Sequence, residues 1–193
     1  DTLKLADQFA SHLENAARID VLPVNRVIAA MEIADIDVVR TKFEAQTLLA
    51  ELDVDGIVVG TIAAYEPYDP PRLAISIELY TSKPFEREVA QSLRRLSRAT
   101  TGPQSLGTLP DDTKQPVSVV SASLDAGDPL VREQIQRFAK NRGNPGSQNT
   151  DYDWHLYHMS MDRFSEFATY VMSYRLLDAE ARRVIDTGRA RGG

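Results

Sequence analysis

The sequence predicts an α/β (α+β) domain, with a mixed sheet of three to five strands and helices packed on it. Residues 56–65 are almost continuously apolar, and apolar and polar residues alternate strictly over residues 73–80, as expected of two strands. Apolar residues at steps of three and four mark helices on both sides of these strands, including a long carboxy-terminal helix over about residues 153–183. Helices layered on one sheet bury both kinds of apolar surface.

The amino-terminal third predicts three helices and one short strand. An opening helix carries a single apolar stripe, formed by Leu5, Phe9, Leu13 and Ala16. The β-prone residues 19–22 predict a brief strand that ends at Pro23. Asn25 is expected to cap the next helix, which ends near Asp35. A helix over residues 41–52 follows, and its expected inward residues are Phe43, Leu48, Leu49 and Leu52.

Residues 56–65 and 73–81 are predicted to be adjacent antiparallel strands, the first central in the sheet and the second half-exposed. The connection between them, residues 66–72, contains three prolines and predicts a rigid hairpin tip. Tyr65, Tyr68 and Arg72 flank this tip, and tyrosine and arginine are enriched at the anchor positions of interfaces. These residues form a candidate interaction surface. Ordinary cross-strand packing of Tyr65 is an equally good interpretation.

The second half begins with a predicted helix over residues 84–98, whose buried stripe is Phe85, Val89, Leu93 and Leu96. Residues 100–116 predict a long surface loop, and residues 117–124 predict a third strand. Asp128 and Pro129 indicate the start of a further helix, which ends in the stretch 142–146. Its expected inward residues are Val131, Ile135 and Phe138.

Two neighbouring apolar stripes run along the long carboxy-terminal helix, giving it a face wide enough to cover a domain or a partner chain. Phe164 and Val171 are expected to pack on the core. Tyr170 and Tyr174 are expected near its edge, available to a partner or a second copy of the chain. We therefore predict one domain over residues 1–185, including a helical extension over about residues 151–185. A disordered tail is expected over residues 186–193.

The composition excludes several classes of function. The chain has 193 residues, 28 acidic and 22 basic side chains, a net charge of −6 and no cysteine. An acidic excess argues against a nucleic-acid partner, because basic residues supply most non-specific affinity for phosphate. Without cysteine there is no disulfide, thiolate metal site or cysteine nucleophile. No apolar stretch approaches the roughly 20 residues that span a bilayer.

The candidate chemical groups favour structural interpretations. His155 and His158 lie three residues apart on one predicted helix face, with Asp151 and Asp162 each about one turn away, but a well-aimed third ligand is not evident. We expect no metal, no cofactor and no catalytic residue. Gly56 and Gly60 lack the lysine and hydroxyl of a phosphate-binding loop, and instead favour close backbone packing in a central strand.

The stretches Arg18-Ile19-Asp20-Val21-Leu22-Pro23-Val24-Asn25-Arg26-Val27 and Leu52-Asp53-Val54-Asp55-Gly56-Ile57-Val58-Val59-Gly60-Thr61-Ile62 resemble a bacterial envelope lipoprotein group. The pattern is similar to the curli-secretion (CsgG-like) lipoproteins, the penicillin-binding-protein activator lipoproteins and the amino-terminal domain of TolB. The match covers roughly residues 1–82. It implies a fold related to anticodon-binding domains, without the strand that usually opens these families.

The resemblance implies a non-enzymatic, periplasm-facing lipoprotein domain. Such a domain scaffolds or regulates envelope assembly, secretion or cell-wall synthesis, through a protein partner or self-association. Membrane contact is expected only through an upstream lipid anchor. Two alternatives stay open: a hydrolase or transferase with a non-motif active site, and a small-ligand or metal-binding domain. Carboxylate or histidine side chains that converge in one pocket would favour the first alternative.

Overall fold

The computed structural model describes residues 2–17, 19–81, 116–142 and 150–191, with side chains except at residues 17, 150–153 and 184–191. It is an α+β fold in which helices pack on a three-stranded sheet, as the sequence predicts. The elements in chain order are α1 (Thr2–Ala17), α2 (Val24–Ile33), α3 (Lys42–Leu52), β1 (Gly56–Glu66), β2 (Arg72–Thr81), β3 (Ser118–Asp125), α4 (Pro129–Arg142), α5 (Thr150–Met159) and α6 (Met161–Arg191).

The three described strands pair in the order β1-β2-β3, and both pairings are antiparallel. The predicted adjacency of β1 and β2 is therefore confirmed, and the register places Gly60 opposite Ile77. Two details differ from the expectation. Among the described strands, the sheet is antiparallel rather than mixed, and β2 is the central strand while β1 lies at an edge. A bulge between Ile62 and Ala64 shifts the register of β1 near its end.

Strand β1 resembles a central strand in sequence because a helix covers one end of the sheet's second face. Ile57 and Val59 on β1 pack there against a small cluster formed by Ala45, Leu49 and Tyr80. The two sides of β1 are thus both apolar near its start, although no strand pairs with its outer edge in the described part of the chain. A continuous apolar run indicates that both faces of a strand are buried; it does not indicate that the strand is paired along both edges.

The main core lies on the other face of the sheet. Leu73, Ile75 and Ile77 of β2 are buried there, as expected from their alternation. Helices α1, α4, α5 and α6 supply the other side of this core. Their fully or almost fully buried residues include Leu5, Val131, Ile135, Phe138, Tyr157, Phe164, Phe167, Met172 and Leu176. The predicted inward stripe of α4 and the predicted packing of Phe164 and Val171 are confirmed. The predicted stripe of α1 is confirmed for Leu5, Phe9 and Leu13, which are buried or half-buried, whereas Ala16 at its end is exposed.

Three predictions about the region before β1 are wrong. Residues 19–23 have no regular secondary structure, so the predicted short strand does not form. Helix α2 begins at Val24, with Pro23 at the N-cap position and no side-chain cap, so Asn25 lies inside the first turn. Phe43, expected to be inward, is 80% exposed.

Helix α3 is fixed at its start by a capping box. Glu44 N donates to Thr41 Oγ1 at 3.3 Å, while Thr41 N donates to Glu44 Oε2 at 2.7 Å. This places Phe43 in the first turn on the side away from the sheet. The buried face of α3 is Ala45, Leu48 and Leu49, which contains two of the predicted inward residues.

The predicted carboxy-terminal helix consists of two helices in the structure. α5 ends at Met159 and α6 begins at Met161. Ser160, between them, accepts a hydrogen bond from Phe164 N at 2.8 Å through its carbonyl, which is the first bond of α6. Helix α6 continues to Arg191, into the range predicted as a tail. None of the helices in the described part of the chain is both long and apolar enough to cross a membrane.

Strands β2 and β3 are neighbours in the sheet although 36 residues separate Thr81 from Ser118 in the sequence. Their ends meet closely, since Val117 N donates to the carbonyl of Leu79 at 2.8 Å. The predicted helix over residues 84–98 and most of the predicted loop over residues 100–116 lie outside the described residues.

Candidate functional site

The hairpin tip between β1 and β2 carries the most exposed aromatic side chain of the candidate surface. Tyr68 is 82% exposed at the turn of the hairpin. The peptide bond between Asp69 and Pro70 is cis, and the following Pro71 is among the fully buried residues. The tip therefore presents Tyr68 to solvent while its far side is packed against the protein.

Two contacts tie the tip to the end of β3. Ala126 N donates to the carbonyl of Pro71 at 3.0 Å. Arg72 Nε lies 2.8 Å from Asp125 Oδ2, and Arg72 Nη1 lies 3.7 Å from Glu66 Oε2. These ion pairs are half-exposed, so each contributes modest stability, but together they fix where the guanidinium lies.

Gly127 allows the tip to approach β3 this closely. A Cβ atom at Gly127 would lie 3.2 Å from Pro70 Cγ and 3.0 Å from Asp125 Oδ1. The Gly127 amide donates to that same Oδ1 at 2.7 Å. Asp125 thus receives the turn amide through one oxygen and Arg72 through the other, which couples the turn after β3 to the hairpin tip.

Tyr65 faces a different part of the molecule from Tyr68. The bulge places Tyr65 opposite Leu73, on the face of the sheet that carries the main core. Tyr65 lines a cavity of about 10 Å³ between α1 and the start of α6, together with Lys4, Leu5, Gln8, Asp162 and Ser165. Tyr65 is 39% exposed, so it contacts the sheet and α1 on one side and solvent on the other, and both interpretations of Tyr65 stay open.

Tyr170 and Tyr174 form a pair of contacting rings on α6, tilted by 51° to each other. Their ring centroids lie 4.6 Å apart, and Tyr170 also lies 4.7 Å from Phe138. Tyr170 is half-buried, and burial raises its pKa above the ordinary value, while Tyr174 is exposed. The pair therefore lies at the edge of the core, as predicted. No hydrogen bond, ion pair or ring contact between described residues joins this pair to the hairpin tip.

A buried histidine on α1 is a feature that the sequence interpretation missed. His12 is only 7% exposed, and its Nδ1 lies 3.4 Å from Arg142 Nη2. Burial, reinforced by the neighbouring guanidinium, lowers the pKa of His12 to about 4. Arg142 is paired in turn with Glu166. The signal was present in the sequence, because His12 follows Phe9 by three residues on the apolar stripe of α1.

The histidine pair on α5 is packed against an aromatic ring. The Trp154 ring lies 3.7 Å from that of His155 and 6.0 Å from that of His158. Asp162, considered as a possible ligand, pairs with Lys4 Nζ at 3.0 Å. The side chain of Asp151 is outside the described set. Within the part of the chain that the structure describes, no three histidine or carboxylate side chains form a group able to hold a metal ion.

A shallow groove runs between β3 and α6. It has a volume of about 350 Å³ and is lined by Val120, Ser121, Arg175, Asp178, Ala179 and Arg182. Arg175 Nη1 donates to the carbonyl of Ser121 at 3.2 Å, and Arg182 pairs with Asp178 at 2.7 Å. The groove's arginines therefore already have partners within the chain.

Comparisons with known proteins identify no relative. A scan against protein-family models finds no match, and searches of curated proteins and of solved structures find no similar chain.

Proposed function

We propose that this protein is a non-enzymatic docking domain of the bacterial cell envelope. It faces the periplasm as an anchored lipoprotein, and it scaffolds or regulates envelope assembly, secretion or cell-wall synthesis through protein–protein contacts. The observation that carries the docking role is an 82% exposed Tyr68 on a hairpin tip that is tied to β3. The resemblance of residues 1–82 supports the compartment.

The tip is suited to binding because its shape is held before a partner arrives. The Pro71 carbonyl and the Arg72 guanidinium are both bonded to the end of β3. Binding a partner therefore requires little further loss of conformational entropy in this loop. Such ordering costs are a main reason why the area buried in an interface does not predict its affinity. Burying one large aromatic side chain is worth roughly 1.5–3 kcal/mol. Tyr68 can therefore act as an anchor in a partner's pocket.

The Tyr170 and Tyr174 pair supplies a second contact region in this proposal. Tyr174 is exposed, while Tyr170 is held by Phe138 and by the Tyr174 ring. Tyrosines in mutual contact offer apolar area with little rotamer entropy to lose. A partner that contacts both regions would gain affinity from each without requiring either to move.

Photo-crosslinking in intact cells tests the docking role. A photoreactive phenylalanine analogue is placed at position 68 of the natural protein, and in a second variant at position 43. Phe43 is a matched control, because it is 80% exposed compared with 82% for Tyr68. We expect a single discrete adduct from position 68 and none of comparable yield from position 43.

A third variant tests the preorganised tip. Asp125→Ala removes the ion pair with Arg72 and should lower the crosslinking yield from position 68 several-fold. Equal adducts from positions 43 and 68, or none from position 68, would contradict the docking role. The adduct partner is identified by mass spectrometry. A cytosolic partner would leave the docking role intact and refute the envelope location.

A further inference from the structure

The two outer edges of the sheet differ in how they are protected. Helix α6 lies along β3, where Arg175 Nη1 donates to the carbonyl of Ser121 at 3.2 Å and Glu180 accepts a hydrogen bond from Ser118 Oγ. The edge of β3 therefore has at least one backbone group already satisfied by a side chain, and a helix lies against it. Natural sheets commonly protect an edge by such a cover.

Strand β1 has little comparable protection. It is eleven residues long, and residues 56–65 include neither a charged side chain nor a proline. Within the described ranges, residues 57–66 make no backbone hydrogen bond outside the ladder with β2. Charged side chains, proline and short length are the usual devices that keep an edge strand from pairing with another chain. The devices that β1 does have lie toward its end, namely the bulge between Ile62 and Ala64 and the charged Glu66.

Gly60, in the middle of this edge, is not explained by packing within the chain. The sequence predicts close backbone packing there, but a Cβ atom at Gly60 would have no heavy atom of the described residues within 4 Å. Neighbouring Val58 and Ile62 pack on the main core from the same face. A glycine in a strand also marks a place where another backbone approaches closely. At Gly60 the free space lies above the face that Val58 and Ile62 share, and Gly60 itself is exposed.

We propose that β1 pairs antiparallel with β1 of a second copy of this chain, forming a six-stranded sheet across a two-fold axis. Placing Gly60 opposite Gly60 puts Val58 opposite Ile62 of the other copy, and Val59 opposite Thr61. Because residues of one face then meet residues of the same face, both main cores lie on one side of the continuous sheet. Two-fold pairing of identical surfaces is the commonest form of homo-oligomer.

The charge distribution favours a second copy as the partner. The chain has a net charge of −6, so most pairs of its surfaces repel each other. Residues 56–65 form a continuous uncharged edge, along which two copies meet without opposing carboxylates. This surface is separate from the hairpin tip at Tyr68, so the pairing does not depend on the proposed docking role.

Sedimentation equilibrium over a range of concentrations tests the pairing. We expect the wild type to associate reversibly to a dimer. Gly60→Lys puts two ammonium groups opposite each other on the two-fold axis, and like charges in directly opposed positions destabilise a strand pair. The open space at Gly60 lets the monomer keep its fold, which circular dichroism verifies. The dissociation constant of the dimer should rise at least about tenfold, which corresponds to about 1.4 kcal/mol.

Two further variants separate this edge from other surfaces. Val119→Lys places the same charge on the opposite edge strand at a 54% exposed position, and dimerisation should not change. Gly60→Glu alone should also be monomeric, whereas an equimolar mixture of Gly60→Glu and Gly60→Lys should form the dimer again. A wild type that stays monomeric at all concentrations would overturn the proposal. So would a Gly60→Lys variant that dimerises as tightly as the wild type.

Discussion

The two faces of the sheet differ in what covers them. One face lies beneath four helices, and its core extends from Leu5 on α1 to Leu176 on α6. On the other face the buried cluster next to the sheet consists of Ala45, Leu49 and Tyr80, under α3. The first face therefore contributes most of the apolar burial. The second contributes less, and it includes the exposed side of β3 around Val119.

Because of this difference, the face with the main core contributes most of the stability and fixes the position of the hairpin tip and of β1. The large core holds β2 rigidly in the middle of the sheet, so that the hairpin tip and the edge of β1 project from a fixed frame. Polar pairs such as Ser76 Oγ with Ser121 Oγ, 2.9 Å apart, occupy the second face. Substitutions should accordingly have larger effects on the first face than on the second.

The largest effect is expected from Phe164→Ala, because Phe164 is completely buried in the main core. Emptying a phenylalanine site in a core costs about 3–5 kcal/mol, measured by urea denaturation. The matched control is Phe43→Ala, which should change the free energy of unfolding by less than about 0.5 kcal/mol, since Phe43 is exposed. A Phe164→Ala variant with the wild-type melting temperature would mean that α6 is an appendage.

Leu49→Ala should cost less, about 2–3 kcal/mol, because the cluster under α3 is small and can partly collapse around the vacated space. The two clusters share no buried residue. A milder pair, Phe164→Leu and Leu49→Val, should therefore have additive effects to within about 0.5 kcal/mol. A larger coupling energy would show that the two faces act as one core.

His12 should make stability depend on pH. Its pKa is lowered to about 4 in the folded protein, compared with the ordinary histidine value of 6.5. Between these values the unfolded chain binds a proton that the folded chain does not, so the free energy of unfolding falls as pH falls from about 6.5 to about 4. The loss should be on the order of 3 kcal/mol, since each pKa unit corresponds to about 1.4 kcal/mol. Below about 4 the folded state is also protonated and this contribution levels off.

Other groups also contribute to the pH dependence of stability, so the measurement compares wild type with His12→Gln. Denaturation curves at several pH values between 4 and 7 give the free energy of unfolding of each. The wild type should lose more stability than the variant as pH falls. Parallel pH profiles would refute the buried neutral histidine.

The smallest effect is expected from Thr41→Ala, which removes half of the capping box of α3. Losing a threonine cap costs about 0.5–2 kcal/mol. Thr47→Ala is a suitable control, since the Thr47 hydroxyl bonds only back to the Phe43 carbonyl, at 2.9 Å within the same helix. Thermal unfolding followed by circular dichroism compares them. Equal melting temperatures for wild type and Thr41→Ala would show that the cap contributes nothing.

Much of the fold could be predicted from local patterns. The alternation along Leu73, Ile75 and Ile77 identified β2, and Asp128 with Pro129 identified the start of α4, where Leu130 N donates to Asp128 Oδ1 at 2.7 Å. In both cases the signal is contained in neighbouring residues. The break at Ser160 had a signal of the same kind, a serine followed two residues later by Asp162, but the continuous apolar period concealed it.

The remaining errors concern contacts between distant parts of the chain. Phe43 fits an apolar period, but which side of α3 meets the sheet depends on where β1 and Tyr80 lie. Residues 19–22 have strand-like composition, but no described strand pairs with them. For the candidate surface, the prolines predicted an exposed tip. The ion pair between Arg72 and Asp125 joins residues more than fifty positions apart in the sequence, so no pattern of neighbouring residues could predict it.

The close meeting of Val117 with Leu79 has an evolutionary consequence. The chain leaves the sheet after β2 and returns to it at β3 through almost the same point in space. Whatever length of sequence joins these two strands, their register need not change, and the entropy of closing a loop grows only slowly with its length. This junction is therefore a place where related proteins can gain, lose or exchange a whole segment while the sheet beside it stays the same.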